Sequence, residues 1–273
     1  SLTSTEIRFF PADQPRAEMK LISPREVDHQ YDVDHRDGTF WIRTNDQGRN
    51  YRLVTAPVSS PSRASWKEVV PHRDTVMLAG HGLFRDFYVL VEREAGFPRI
   101  RVTDFRSGES HRIDVPEPAS LLAASVNREF DAKLFRFAYQ SPITSPSIYD
   151  YDPVTRQRTL QKQEAVLGGY DPKRYKVETT EATAPDGRKV PLWLLYRSDL
   201  PRDGRSPALL YAYGSYGSSE DADFSSNVFS LVDRGVVYAV AYVRGGGEIW
   251  FAGGGAASAA INPFNVSGND RPS

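Results

Sequence analysis

Residues 1–168 repeat a pair of strand-like segments about every 47 residues, a period in the range of propeller blades. In each pair an aromatic or apolar run is followed by a polar turn and a second run, and the three pairs begin at Thr39, Asp86 and Leu134. A blade is a small sheet that cannot bury both faces alone, so blades must stack on one another. The repeat therefore predicts a partial β-propeller over these residues, and an antiparallel sandwich is the alternative.

The number of repeats is small for a closed ring. The segment Ile7–Phe10 fits the end of an earlier blade, which brings the propeller to three to four blades. A closed ring is hard to build from so few blades. We therefore expect the chain to begin in the middle of a propeller.

The second half of the chain changes period. Residues 175–184 alternate loosely, Pro185-Asp186-Gly187 is a strong turn signal, and residues 190–196 form the returning strand. Continuous apolar runs then occupy residues 207–213 and 236–243. Such runs are typical of strands that are covered on both faces, as in a parallel sheet.

A helix is predicted between these two apolar runs, over residues 224–234, because apolar side chains recur there at helical spacing. Ser225 or Ser226 can cap its first turn, and Gly235 follows its last turn, where a left-handed cap needs glycine. A hairpin, strand, helix and strand in this order open an α/β layer fold. We assign this fold to residues 169–250.

Tyr213 ends the first apolar run and precedes a glycine-rich polar loop. Ligand and catalytic groups of open α/β sheets gather at the carboxyl ends of strands. A phenolic O–H is also a competent hydrogen-bond donor to an oxyanion that develops during a reaction. Tyr213 is therefore a candidate catalytic residue, and a core tyrosine with a local hydrogen bond is the alternative.

Two long motifs resemble the prolyl oligopeptidase family of serine peptidases, and within it the oligopeptidase B branch. They are LLYAYGSYGSSEDADFS, which starts at Leu209, and SLVDRGVVYAVAYVRGGGE, which starts at Ser230. The segment from Tyr31 to Val54 is similar to a propeller segment of the same enzymes, and the resemblance extends over about residues 1–250. It implies a seven-bladed propeller that caps an α/β-hydrolase domain, with hydrolysis of short peptides after basic residues. It also implies that Tyr213 stabilises the oxyanion.

The chain lacks the groups that such hydrolysis needs. An α/β-hydrolase uses Ser, Asp and His in that order, with the serine in a G-x-S-x-G turn, and this pattern does not occur in the sequence. No histidine follows Arg112; the five histidines are His29, His35, His72, His81 and His111. We therefore predict that nucleophile, base and acid are absent and that the chain alone is inactive. Three acidic residues after Tyr213 are interpreted as solvated loop carboxylates: Glu220, Asp221 and Asp223.

Residues 251–273 depart from the family pattern. Glycine, alanine, serine and asparagine dominate this tail, which predicts disorder. The expected cause is a premature end or a change of reading frame, so that the chain would be truncated at both ends. The alternative function is a non-catalytic propeller that binds peptides or proteins.

The composition of the chain limits the classes of partner that it is expected to bind. A formal net charge of −1 gives no broad attraction to nucleic acid or to anionic membrane, and no apolar run is long enough to cross a bilayer. The chain has no cysteine and no clustered ligands for a metal, so no cofactor or metal is predicted. Without an export signal at the amino terminus, a cytoplasmic location is expected. The expected partners are short peptides, and unpaired sheet edges predict self-association.

Overall fold

The computed structural model of the protein describes residues 3–215 and 220–244. These residues divide into two compact units. The first comprises residues up to 92 with 101–111 and 129–132, and the second comprises 93–100, 112–128 and the described residues from 133 onward. The predicted tail 251–273 and the end of the predicted hydrolase segment, 245–250, lie outside the described residues.

Three four-stranded sheets follow one another along the chain, and in each of them strands that are neighbours in sequence are neighbours in the sheet. They are preceded by a two-stranded sheet of β1 (Ile7–Phe9) and β2 (Lys20–Ser23). The strands of the four-stranded sheets are β3 (Tyr31–Arg36), β4 (Thr39–Thr44), β5 (Arg52–Pro57) and β6 (Lys67–Val70); β7 (Val76–Leu83), β8 (Phe87–Glu94), β9 (Phe97–Asp104) and β10 (Ser110–Arg112); and β11 (Leu121–Ala124), β12 (Phe135–Ser141), β13 (Thr144–Tyr151) and β14 (Arg158–Gln163). The partial propeller is thereby confirmed.

Local sequence explains the tight hairpins of the first two of these sheets. Asp37 and Gly38 connect β3 to β4 with φ angles of 47° and 71°, and Ala95 and Gly96 connect β8 to β9 with φ angles of 48° and 85°. A two-residue hairpin turn with positive φ at both positions matches the twist of the strands that it joins. Asp-Gly is the strongest short sequence signal for this turn.

The core of the first unit contacts both faces of β4. Phe40 and Ile42 pack with Ile22 in one cluster. Trp41 points to the opposite face, as alternation along a strand requires, and packs with Leu78 and Leu90 in a second cluster. A blade is therefore covered on both faces, and Phe40 and Trp41 both belong to its core.

The second unit contains a mixed sheet in the order β15-β16-β18-β17. Its strands are β15 (Tyr175–Thr183), β16 (Lys189–Arg197), β17 (Ala208–Ala212) and β18 (Val237–Ala241). β16 pairs antiparallel with β15 and β18, whereas β17 and β18 are parallel. The predicted hairpin and both later strands are therefore present, and the parallel pair is the beginning of an α/β arrangement.

The helix between β17 and β18 is much shorter than predicted. A 3₁₀ turn at Ser226–Val228 leads into α1 (Phe229–Val232), and Gly235 closes the segment with a φ of 86°. Ser225 occupies the N-cap position without a capping hydrogen bond from its side chain. Serine and asparagine compete with helical hydrogen bonding, which explains why the predicted first turn is not α-helical. The other 3₁₀ turns in the described part of the chain are Arg63–Ser65 and Pro172–Arg174.

The prediction that both apolar strands are buried is correct for β18 and wrong for β17. Four of the five β18 residues are buried, whereas all five β17 residues are exposed. Within the described residues, β17 lies at the edge of the sheet and pairs only with β18.

Candidate active site

Tyr213 lies at the carboxyl end of the parallel strand pair. Ala212 of β17 is in register with Ala241 of β18. Tyr213 and Tyr242 therefore leave the sheet side by side, at the carboxyl ends of the two strands. The Tyr213 side chain is exposed, with 38% of its surface accessible. Its phenol can therefore reach a ligand at the edge where α/β sheets bind ligands.

Tyr242, its neighbour, is a core residue. Only 3% of its surface is accessible, and its ring packs edge-on against Phe97 at 5.1 Å. Gly96 leaves the space for this ring, since a Cβ at Gly96 would lie 3.0 Å from it. Burial raises the pKa of the Tyr242 phenol well above its ordinary value.

Gly214 brings the ends of β17 and β18 into close contact. A Cβ at this position would lie 2.5 Å from the carbonyl oxygen of Arg244 and 2.7 Å from Cγ2 of Val243. Real Cβ atoms essentially never lie this close to other atoms, so only glycine fits at position 214. The backbone directly after Tyr213 is thus held against the backbone that follows β18.

An ion pair ties the same edge to the β15–β16 hairpin. Nη1 of Arg244 lies 2.5 Å from Oδ2 of Asp186, which is part of the hairpin turn. The hydrogen bond from Arg244, with further support from the backbone N–H of Arg188, holds the pKa of Asp186 below its ordinary value. Sequence analysis identified Asp186 only as a turn residue, because its partner is 58 positions away.

The three acidic residues after Tyr213 line a small cavity of about 40 Å³. Asp221 accepts a hydrogen bond from Arg93 at 2.8 Å, and its side chain is only 28% exposed. The interpretation of Asp221 as a solvated loop carboxylate is therefore wrong. Burial and the nearby charge of Asp221 raise the pKa of Asp223. Glu220 and the aromatic side chains of Tyr211, Trp193 and Tyr238 also line this cavity.

All five histidines lie in the first unit, and Tyr213 lies in the second. Nε2 of His29 lies 2.9 Å from Oγ1 of Thr44, and the ring of His81 is buried with Nδ1 3.5 Å from Oδ2 of Asp32. Burial lowers the pKa of both imidazoles. The second unit contains no histidine among its described residues.

The described parts of the chain contain no group of three or more His, Cys, Asp or Glu side chains that is arranged to hold a metal ion. Among the helices of the residues that the structure describes, none has the length and apolar character needed to cross a membrane.

Comparison with known proteins gives matches along most of the chain. The family model of the prolyl oligopeptidase N-terminal β-propeller domain matches residues 1–164. Dipeptidyl aminopeptidase BI from Pseudoxanthomonas mexicana is 41% identical over 259 residues, which are 93% of this chain and 35% of the relative. Protease 2 from Moraxella lacunata is 30% identical over 93% of this chain and 37% of its own length.

The solved structure of oligopeptidase B from Leishmania major matches with a TM-score of 0.80 and 31% identity. The match covers 90% of this chain and 36% of that chain, so this chain spans about a third of the length of the proteins that it matches. The propeller sheets agree with these comparisons. The chain belongs to the prolyl oligopeptidase family.

Proposed function

We propose that this chain is part of a serine-type peptidase that hydrolyses short peptides after basic residues, and that Tyr213 stabilises the oxyanion. The observation that carries this proposal is the exposed phenol at the carboxyl end of the β17–β18 pair, in a chain of a peptidase family. Attack on a peptide carbonyl places negative charge on its oxygen. A donor fixed at that position stabilises the transition state more than the ground state.

The proposal includes the absence of activity in this chain alone. None of its 273 residues forms a G-x-S-x-G turn, and no histidine follows Arg112. A serine hydroxyl without a neighbouring base is a weak nucleophile. We therefore expect the purified chain not to hydrolyse an arginyl amide substrate, which a chromogenic assay checks.

Electrostatics support a preference for basic residues. Glu220, Asp221 and Asp223 line one cavity, so three carboxyl groups lie close together there. Of these three carboxyl groups, that of Asp221 forms an ion pair with Arg93. A cationic side chain near this cavity would gain favourable electrostatic energy.

A chimera tests the role of Tyr213. The 259-residue segment of the Pseudoxanthomonas enzyme that matches this chain is replaced by the corresponding residues of this chain. We expect the chimera to cleave short peptides, and Tyr213→Phe to lower kcat by about 10²–10³-fold with KM nearly unchanged, because only the oxyanion interaction is lost. Tyr149→Phe, in β13, is the matched control and leaves kcat unchanged. A folded, active chimera whose kcat is insensitive to Tyr213→Phe would refute the oxyanion role.

A non-catalytic binding function is the second candidate. It is favoured by a cavity of about 290 Å³ on the β11–β14 sheet, where apolar side chains such as Ile148 lie beside Lys162 and Glu164. This hypothesis predicts saturable peptide binding by the isolated chain without turnover. Fluorescence anisotropy with labelled peptides distinguishes it from the peptidase proposal.

Three further predictions accompany the proposed function. The domain division at residues 168 and 169 falls on two exposed glycines with positive φ, which suits a linker between domains.

The exposed edge of β17 supports self-association of the chain, which sedimentation velocity at several concentrations checks. The cytoplasmic location stays a prediction.

A further inference from the structure

We propose that the ion pair between Asp186 and Arg244 positions the phenol of Tyr213, and that the close contact between Gly214 and Arg244 transmits its effect. Both charged residues are thus positioning residues, which act through the backbone and not on a substrate. The inference deepens the proposed function, because it rests on the role of Tyr213 at the oxyanion.

The first step is the rigidity of the turn that carries Asp186. The backbone N–H of Ala184 donates to the carbonyl of Arg188 at 2.8 Å, and the N–H of Gly187 donates to the carbonyl of Ala184 at 2.9 Å. Gly187 adopts a φ of 81°, which favours glycine. The carboxylate of Asp186 therefore starts from a well-defined backbone.

The second step is the placement of Arg244. β16 runs antiparallel to β18, so the hairpin turn before β16 lies at the sheet edge where β18 ends. The N–H of Tyr242 donates to the carbonyl of Pro191 at 2.9 Å and continues this contact beyond the last paired residue of β18. From there the guanidinium of Arg244 reaches Asp186 at 2.5 Å, and its side chain is only 22% exposed.

The third step leads from Arg244 to Tyr213. The carbonyl groups of Val243 and Arg244 lie so close to Gly214 that its missing Cβ would be 3.1 Å and 2.5 Å from their oxygens. A shift of Arg244 toward Gly214 must move Gly214 as well. Tyr213 is the residue directly before it, so its backbone follows.

The fourth step explains why Tyr213 needs this support. Side-chain packing supports β17 less than β18, because all five β17 residues are exposed and four of the five β18 residues are buried. Before Tyr213 the chain is fixed by the pairing of β17 with β18, and after Tyr213 it is fixed by the contact at Gly214. The Asp186–Arg244 pair anchors the second of these two supports.

The experiment uses the full 273-residue chain with 3-fluorotyrosine at position 213, observed by ¹⁹F NMR. We expect D186N and R244Q each to shift and broaden the resonance at position 213, and the double variant to give no larger change than either single variant. D199N is the matched control, since Asp199 pairs with Arg197 at 2.5 Å at the other end of β16. It should leave the resonance unchanged.

A rescue variant separates positioning from a general loss of structure. The exchange of charges in Asp186→Arg with Arg244→Asp should restore the ¹⁹F resonance toward that of the unmodified pair, while circular dichroism confirms the fold. An unchanged resonance in folded D186N and R244Q overturns the proposal, and so does an equal change in D199N.

In the active chimera, D186N should lower kcat by up to about 100-fold and have no additional effect once Tyr213→Phe is present. If the ¹⁹F changes occur but Tyr213→Phe leaves kcat intact, the positioning holds and the oxyanion role is wrong.

Discussion

β17 and β18 lie side by side as parallel strands of five residues each, and their side chains meet opposite environments. Leu209 of β17 is 41% exposed, whereas Val237 of β18 is 2% exposed. Both strands are built from apolar and aromatic residues. Their different burial accompanies their position in the sheet: among the described residues, β18 has a paired strand on each side and β17 has one.

This difference separates two properties that an apolar run is often taken to imply together. The run favours an extended strand through local preference, whereas burial requires neighbours from elsewhere in the chain. An apolar strand at an exposed edge is a surface for further pairing. Tyr213 and Tyr242 repeat the contrast one residue beyond the strands, with an exposed phenol on one side and a buried phenol on the other.

The largest expected effect comes from placing a carboxylate on each strand in turn. Val240→Asp, in β18, should lower the free energy of unfolding of the second unit by more than about 4 kcal/mol, because it buries an unpaired charge next to Trp193. Leu210→Asp, in β17, should lower it by only about 1 kcal/mol, since this side chain is already 36% exposed to water. Urea unfolding followed by circular dichroism measures both values. Equal losses at the two positions would show that β17 is covered in solution.

A smaller effect is expected where the two strands touch. Gly214→Ala should lower the free energy of unfolding by about 1–3 kcal/mol, because the new methyl group would overlap the carbonyl of Arg244. Gly80→Ala, in β7, is the control, since a Cβ there would meet Val91 at an ordinary 3.9 Å. Thermal unfolding of the two variants compares them. If Gly214→Ala is as stable as Gly80→Ala, the ends of β17 and β18 are not in close contact.

Local signals made much of the fold predictable. The aromatic runs that begin near Thr39, Asp86 and Leu134 correspond to β4, β8 and β12, because alternation along a strand is visible in the sequence. The Asp37-Gly38 turn and the left-handed Gly235 follow from the backbone preferences of single residues. Each of these features depends on residues within a few positions of one another.

The features that the sequence did not predict depend on residues that are far apart in the chain. Asp221 and its partner Arg93 are 128 positions apart, so the sequence indicated only an acidic loop. The requirement for glycine at position 214 arises from Val243 and Arg244, which the local motif does not reveal. The predicted helix over 224–234 failed in its first turn, where Phe224 instead donates its N–H to Gln140 in β12. The placement of Tyr213 could be predicted from the strand that precedes it, whereas its supports could not.

The smallest expected effect concerns Asp223, which lies in the segment between β17 and β18. The pKa of Asp223 is raised above its ordinary 3.8, mainly by burial, so its ionised form is less favourable in the folded state than in the unfolded state. Its ionisation therefore costs stability at neutral pH, and the cost disappears below pH 3.8, where the carboxyl group is protonated in both states. Asp223→Asn should raise Tm slightly at pH 7 and leave Tm unchanged at pH 3. Asp199→Asn should behave in the opposite way at pH 7, since Arg197 lowers the pKa of Asp199 and the ionised form stabilises the fold. Calorimetry at the two pH values would contradict this account if Asp223→Asn lowered Tm at pH 7, because the carboxylate would then be stabilised by a partner and not penalised by burial.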